Sequence, residues 1–216
     1  MSTPLWIVSK CSVCGKESKQ ITVGSTNAFG SADLDLRPPE MKRSTMPWWI
    51  HKCPHCGYVA RSLERKSTVT QEWLKSEFFT SCDKREFQSE LAALFYQEYL
   101  ICVEDGEMVR AFHAAQCAAW ACDDQGETEN AIYCRLCALS LFDKIRADQE
   151  ATEEECVLRA DLLRRTGQFE YLIEEYTGKS FSDELLQSIM IFQIEKARQQ
   201  DMSCYKIQDV PDATDE

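Results

Sequence analysis

Two short stretches, "CSVCGK" and "CPHCGY", place Cys11 and Cys14 ahead of Gly15, and Cys53 and Cys56 ahead of Gly57. A Cys-x-x-Cys-Gly turn curls the backbone until both thiolates aim at one centre, and glycine accepts the positive φ that the curl needs. One such turn alone leaves dithiol redox chemistry open, whereas two together complete a tetrahedral four-sulfur shell. Thiolates in that geometry hold zinc or a single iron equally well by ligand type. A shell closed by four protein sulfurs has no vacancy for water or substrate, so the expected metal is structural and not catalytic. His51 and His55 flank the second pair and are expected to lie outside the shell.

The residues around these turns must hold them together. "LWIVSK" precedes the first pair as a strand, "PWWIHK" leads into the second as another, and "GYVARSLE" leaves it as a third. This part of the chain has too little apolar content to bury four thiols without a metal. The knuckles resemble those of rubredoxin, an iron electron carrier, and their arrangement resembles a zinc ribbon. Zinc is favoured, because a redox-inert ion needs no electron partner and no second redox centre is evident in the chain.

Between the knuckles runs "STNAFGSADLDLRPPEMKRSTMPWW", long for a loop. Asn27, Asp33, Asp35, Arg37, Glu40 and Arg43 lie there beside Phe29, Trp48 and Trp49. Two readings stand side by side: a binding loop on a rigid scaffold, or a connector stiffened by Pro38 and Pro39 whose charges pair among themselves.

From Thr70 onward proline and glycine almost vanish and apolar residues recur at three and four, which predicts successive amphipathic helices. The spacing places them at 71–81, 85–103, 107–122, 127–146, 152–166, 169–176 and 183–200. Thr152 with Glu155 forms a capping-box pattern, and Gly106, Gly126, Gly167 and Gly178 punctuate helix ends. Short turns between such helices imply antiparallel neighbours. Two stretches, "CAAWACDDQGETENAIYCRLCAL" and "LRADLLRRTGQFEYLIEEY", have the grammar of a tetratricopeptide repeat, with Ala119, Ala131, Ala138 and Ala160 where paired helices approach. Leu172 and Arg135 depart from that pattern. A buried Arg135 needs a partner, and Asp123 or Asp124 across the turn is the candidate. A possible second metal site is His113 and Cys117, four apart on one helix, facing Cys134 and Cys137, three apart on the next; the alternative is that these cysteines fill tight helix contacts.

The expected class is α+β, mainly α: a small N-terminal zinc ribbon with rubredoxin-like knuckles over residues 1–66, an all-α tetratricopeptide-like helical-hairpin domain over 67–204, and an acidic tail over 205–216. A length of 216 residues with 44% hydrophobic content supports a folded protein. The formal charge of −12 repels phosphate and disfavours nucleic-acid binding, and the candidate basic patch, "RSLERKS", is short and contains Glu64. No export signal or membrane-spanning run is legible, which places the chain in the cytoplasm, where twelve cysteines read as metal ligands or buried thiols instead of disulfides. No phosphate loop, nucleophile elbow, His-Glu-x-x-His or Glu-x-x-His pattern is found, so an enzyme is disfavoured, the inter-knuckle loop being its only candidate place.

Taken together, the paired knuckles, "RPPEMKRS", "CPHCGY" and the "AAW…DD" hairpin resemble a family of prokaryotic cytoplasmic proteins with a split four-cysteine zinc ribbon followed by tetratricopeptide-like helices. The resemblance implies a fold and one structural zinc, and no reaction. The function expected from the sequence is a zinc-binding, non-enzymatic interaction module with a protein or peptide on a concave helical face; the alternatives are a rubredoxin-like electron carrier and an enzyme using the loop.

Overall fold

The computed structural model describes residues 2–80 and 86–211. Strand β1 (Thr3–Lys10) pairs antiparallel with β2 (Glu17–Ser25), and the turn that joins them is the first knuckle. Strands β3 (His51–Lys52) and β4 (Val59–Ala60) form a second, much shorter hairpin around the second knuckle. The helices are α1 (Glu77–Thr80), α2 (Glu90–Glu104), α3 (Met108–Asp124), α4 (Thr128–Ile145), α5 (Glu153–Arg165), α6 (Phe169–Tyr176) and α7 (Glu184–Arg198). The class is thus mainly α, with small N-terminal β-hairpins that bear a four-cysteine cluster, followed by helical hairpins.

Several expectations are met closely. Thr152 and Glu155 close a full capping box on α5, because each side chain satisfies the other's backbone N–H. Gly106, Gly126 and Gly167 adopt positive φ in the turns after α2, α3 and α5. Arg135 is buried and meets Asp123 through two hydrogen bonds, at 3.1 and 2.5 Å.

Others need correction. The helix expected over 71–81 is broken: a 3-10 turn over Trp73–Lys75 ends where Ser76 becomes extended (ψ 152°), and α1 begins afresh with its Phe79 N–H donating to the Ser76 hydroxyl. Serine stops one element and starts the next because its side chain competes for the backbone donors. Residues 81 and 85, at which two expected helices end and begin, lie outside the described residues, and α2 is capped by Ser89, which accepts from Ala92 N–H. The run "PWWIHK" is strand only at His51 and Lys52, because Arg43–Trp48 winds as a 3-10 turn. Strand β2 was not anticipated at all; its Ile21 and Val23 lie opposite Trp6 and Pro4.

The chain forms two compact units, and their limits differ from a division near residue 66. One comprises Met1–Ala28 and Glu40–Leu141; the other comprises Phe29–Pro39 and Phe142–Glu216. In the first, the second hairpin shares a core with the helices: Tyr58, Val59, Phe95, Ala118 and Trp120 belong to one buried cluster. Arg61 secures that join, its backbone N–H and guanidinium both meeting Glu98 of α2 while the guanidinium lies over Phe95. Too small to fold on its own surface, the hairpin borrows α2 and α3 as its hydrophobic partner.

In the second unit α5, α6 and α7 pack on one another, and the segment Phe29–Pro39 is part of it. Leu34 N–H donates to Tyr205 O, Ile207 N–H donates to Ala32 O, and Asp33 forms a bridge with Lys206. At its centre Arg164 is fully buried and donates to Asp161, Gln193 and the carbonyls of Asp201 and Ser203.

Candidate metal centre

Each knuckle is built by the same backbone bonds. Gly15 N–H donates to Cys11 O (2.8 Å) and Cys11 N–H to Lys16 O (2.9 Å), while Gly57 N–H donates to Cys53 O (3.0 Å) and Cys53 N–H to Tyr58 O (2.8 Å). Gly15 and Gly57 have φ of 71° and 80°, a region that costs an L-residue with a side chain. The matching geometry turns both thiol pairs inward.

The four sulfurs converge. Cys11 Sγ lies 3.7 Å from Cys56 Sγ, Cys14 Sγ lies 3.7 Å from Cys53 Sγ, and all four ligand atoms fall within 4.8 Å of one another. Metal–sulfur bonds of about 2.3 Å in a tetrahedron give sulfur–sulfur edges of about 3.8 Å, so the spacing fits a single ion. Burial pushes the Cys11 and Cys56 thiols up, Cys56 far above its usual range. At Cys14 burial works in the same direction but is outweighed by the Lys16 amide and the neighbouring sulfurs, so its thiol is shifted down. An ion entering this cluster must displace protons, which makes its affinity dependent on pH.

Neighbouring segments lock the two knuckles in place. Ser12 N–H donates to Leu63 O (2.8 Å), its hydroxyl donates to Arg65 O (2.5 Å), and Tyr58 Oη donates to the same carbonyl (3.3 Å). His55 Nε2 lies 3.2 Å from Glu17 O, tying the second knuckle to the start of β2. His51 is buried in β3, and burial lowers its pKa. Neither histidine belongs to the ligand group. The contacts of Ser12 and residues 63–65 had no motif to announce them, since they are made mostly by backbone.

The possible second site does not assemble. His113, Cys117, Cys134 and Cys137 form no convergent ligand group among the described residues. Cys117 instead accepts from the Arg61 guanidinium at 3.2 Å, and Cys134 is fully buried in the helical core. His113 is exposed on α3. Cys117 and Cys134 lie in the buried core and Cys137 packs against it.

Nor is the inter-knuckle loop a uniform display of charge. Asp33, Asp35 and Arg37 are buried within the second unit, where Asp35 pairs with Arg165 at 3.3 Å and accepts from Arg37 N–H. Asn27 is exposed, Glu40 accepts from the Ser44 hydroxyl, and Arg43 is half-buried. These contacts bury part of the loop in the second unit, where the Asp35 carboxylate pairs with Arg165 from outside the loop and not with a charge within it.

No protein family, curated protein or solved structure matches the chain. The resemblance drawn from the motifs therefore narrows to a four-cysteine cluster on two β-hairpins followed by a helical domain, with no family identified. Among the described residues no helix is long and apolar enough to cross a membrane.

Proposed function

We propose that the protein is a zinc-stapled, non-enzymatic interaction module, in which one structural zinc on Cys11, Cys14, Cys53 and Cys56 fixes the two hairpins and the helices receive a protein or peptide. The observation that carries this reading is the closed four-sulfur cluster, whose edges suit a tetrahedral ion and leave no coordination position for chemistry. Asp33, Asp35 and Arg37 are buried, and Asp35 pairs with Arg165, which favours a non-enzymatic reading of the loop. The helical hairpins, with Ala119, Ala131, Ala138 and Ala160 buried, suit a tetratricopeptide-like stack, and a cytoplasmic setting suits free thiols.

Affinity capture with the purified, metal-loaded chain tests the module: a saturable partner that survives competition supports it, and failure to retain any partner reproducibly counts against it. A rubredoxin-like carrier is the second reading, because the same sulfurs suit iron. Colour separates the two, since an oxidised iron–tetrathiolate protein is red and a zinc protein is colourless.

A further inference from the structure

The chain enters the second unit twice, and its first visit lies between the two halves of the metal centre. Segment Phe29–Pro39 belongs to the second unit, yet the residues on either side of it, up to Ala28 and from Glu40, belong to the first. Cys11 and Cys14 precede this strap, and Cys53 and Cys56 follow it. An ion shared by the four sulfurs therefore closes the chain from Cys14 to Cys53 into a ring that contains the strap.

Specific bonds dock the strap. Leu34 is buried and its N–H donates to Tyr205 O (2.9 Å), Ile207 N–H donates to Ala32 O (2.9 Å), and Gln208 N–H donates to the Ser31 hydroxyl (3.1 Å). Asp35, also buried, pairs with Arg165 of α5 (3.3 Å). The two ends of the strap are held unequally. Downstream, Met46 and Ile50 are buried in the same cluster as Phe95, an anchor that needs no metal. Upstream, no apolar side chain of β1 or β2 is buried, and a two-stranded hairpin without a buried face is marginal alone. Cys11, Val13 and Cys14 join that hairpin to the core. Its other links, such as Gln20 Nε2 to Lys52 O (3.3 Å) and His55 Nε2 to Glu17 O (3.2 Å), are hydrogen bonds of exposed groups. An ion on the thiols is thus the firm fastening of the strap's upstream end.

We propose that the metal centre controls the docking of Phe29–Pro39 in the second unit, so that loss of the ion releases the strap from Tyr205, Ile207 and Arg165. This rests on the single-ion reading of the four thiols. The thiol cluster and the docked strap stand together in the structure, so closing the ring removes only undocked states of the strap. Docking then costs less chain entropy when the ion is bound. Coupling between two equilibria is reciprocal: the docked strap tightens ion binding by the same factor by which the ion favours docking. Leu34 and Asp35, neither of them a metal ligand, thereby act on the metal as positioning residues.

The test uses the full chain, with zinc as the added ion and a chelator to remove it. Hydrogen exchange at the Leu34 and Ile207 amides should quicken about fivefold or more on zinc removal, while the helical amides of α6 and α7 keep their protection. In chelator competition, Asp35→Asn and Leu34→Ala should each weaken zinc binding about fivefold. Thr152→Ala, which loosens α5 at the end remote from Arg165, should leave zinc binding unchanged. If one strap variant loses the helical circular dichroism of wild type, the other variant and the exchange experiment decide. Equal exchange with and without zinc, loss of protection throughout α5–α7, or wild-type zinc affinity in both strap variants overturns the proposal. Any of those results with one zinc bound per chain leaves the zinc reading standing, whereas a chain that takes up no zinc ends both.

Discussion

Glu127 shows how one carboxylate can hold two helices. It accepts from Gln88 N–H (3.0 Å), Ser89 N–H (2.7 Å) and the Asn130 amide (2.7 Å), joining the start of α2 to the start of α4. Burial acts to raise its pKa, but the Asn130 amide and the two backbone donors outweigh it, so the folded pKa is depressed. A depressed carboxylate contributes stability that is present above its unfolded pKa and is lost as pH falls through the folded one. Denaturation of wild type between neutral and acidic pH should therefore show a loss that Glu127→Gln lacks, the variant being less stable at neutral pH by about 1–3 kcal/mol. A second residue-level prediction concerns Asp161. Asp161→Ala leaves the buried Arg164 guanidinium without its carboxylate and should cost about 3–5 kcal/mol in urea denaturation. Of these contacts the sequence announced Arg135 with Asp123, because a repeat-like helix places that arginine on a buried face next to a turn rich in aspartate. Glu127 and Arg164 were not legible, since most of their partners are backbone groups or distant side chains, and the partners three positions away, Asn130 and Asp161, do not by themselves mark a buried network.

At the scale of elements, turn chemistry was the most readable feature. The knuckle glycines and the α5 capping box follow from residue types a few positions apart, and short-range physics decides them. Gly57→Ala meets no atom within 4 Å at the added Cβ, so its cost is purely that of positive φ, about 1–2 kcal/mol, measurable as a lowered Tm of the metal-loaded protein. Thr152→Ala should remove about 1 kcal/mol from α5 by opening the capping box. Strand β2 was missed for the opposite reason: "ESKQITVGS" has only a weak alternation, and it becomes a strand because β1 lies beside it. The broken helix before α1 likewise turns on one serine whose hydroxyl claims a backbone donor.

The molecule as a whole divides in a way that composition could not reveal. A change in proline and glycine content near residue 66 marks where strands give way to helices, but it does not mark a compact unit. Packing of β4 on α2 draws the ribbon and the first helices into one core, while Phe29–Pro39, hidden in a loop between knuckles, completes the other unit through Leu34, Tyr205 and the buried Asp35–Arg165 pair. Long-range pairs of this kind, separated by 130 positions in sequence for Asp35 and Arg165, need the fold before they can be seen. The four-cysteine cluster, by contrast, was legible from spacing alone, because a metal shell imposes its own short-range grammar. The most direct test of the account is elemental analysis of the purified chain together with native mass spectrometry of wild type and Cys56→Ser. One equivalent of zinc per wild-type chain, absent from Cys56→Ser and released on acidification as the thiolates are protonated, is the predicted result. A metal-free wild-type protein that is fully folded, or zinc retained undiminished by Cys56→Ser, would contradict it.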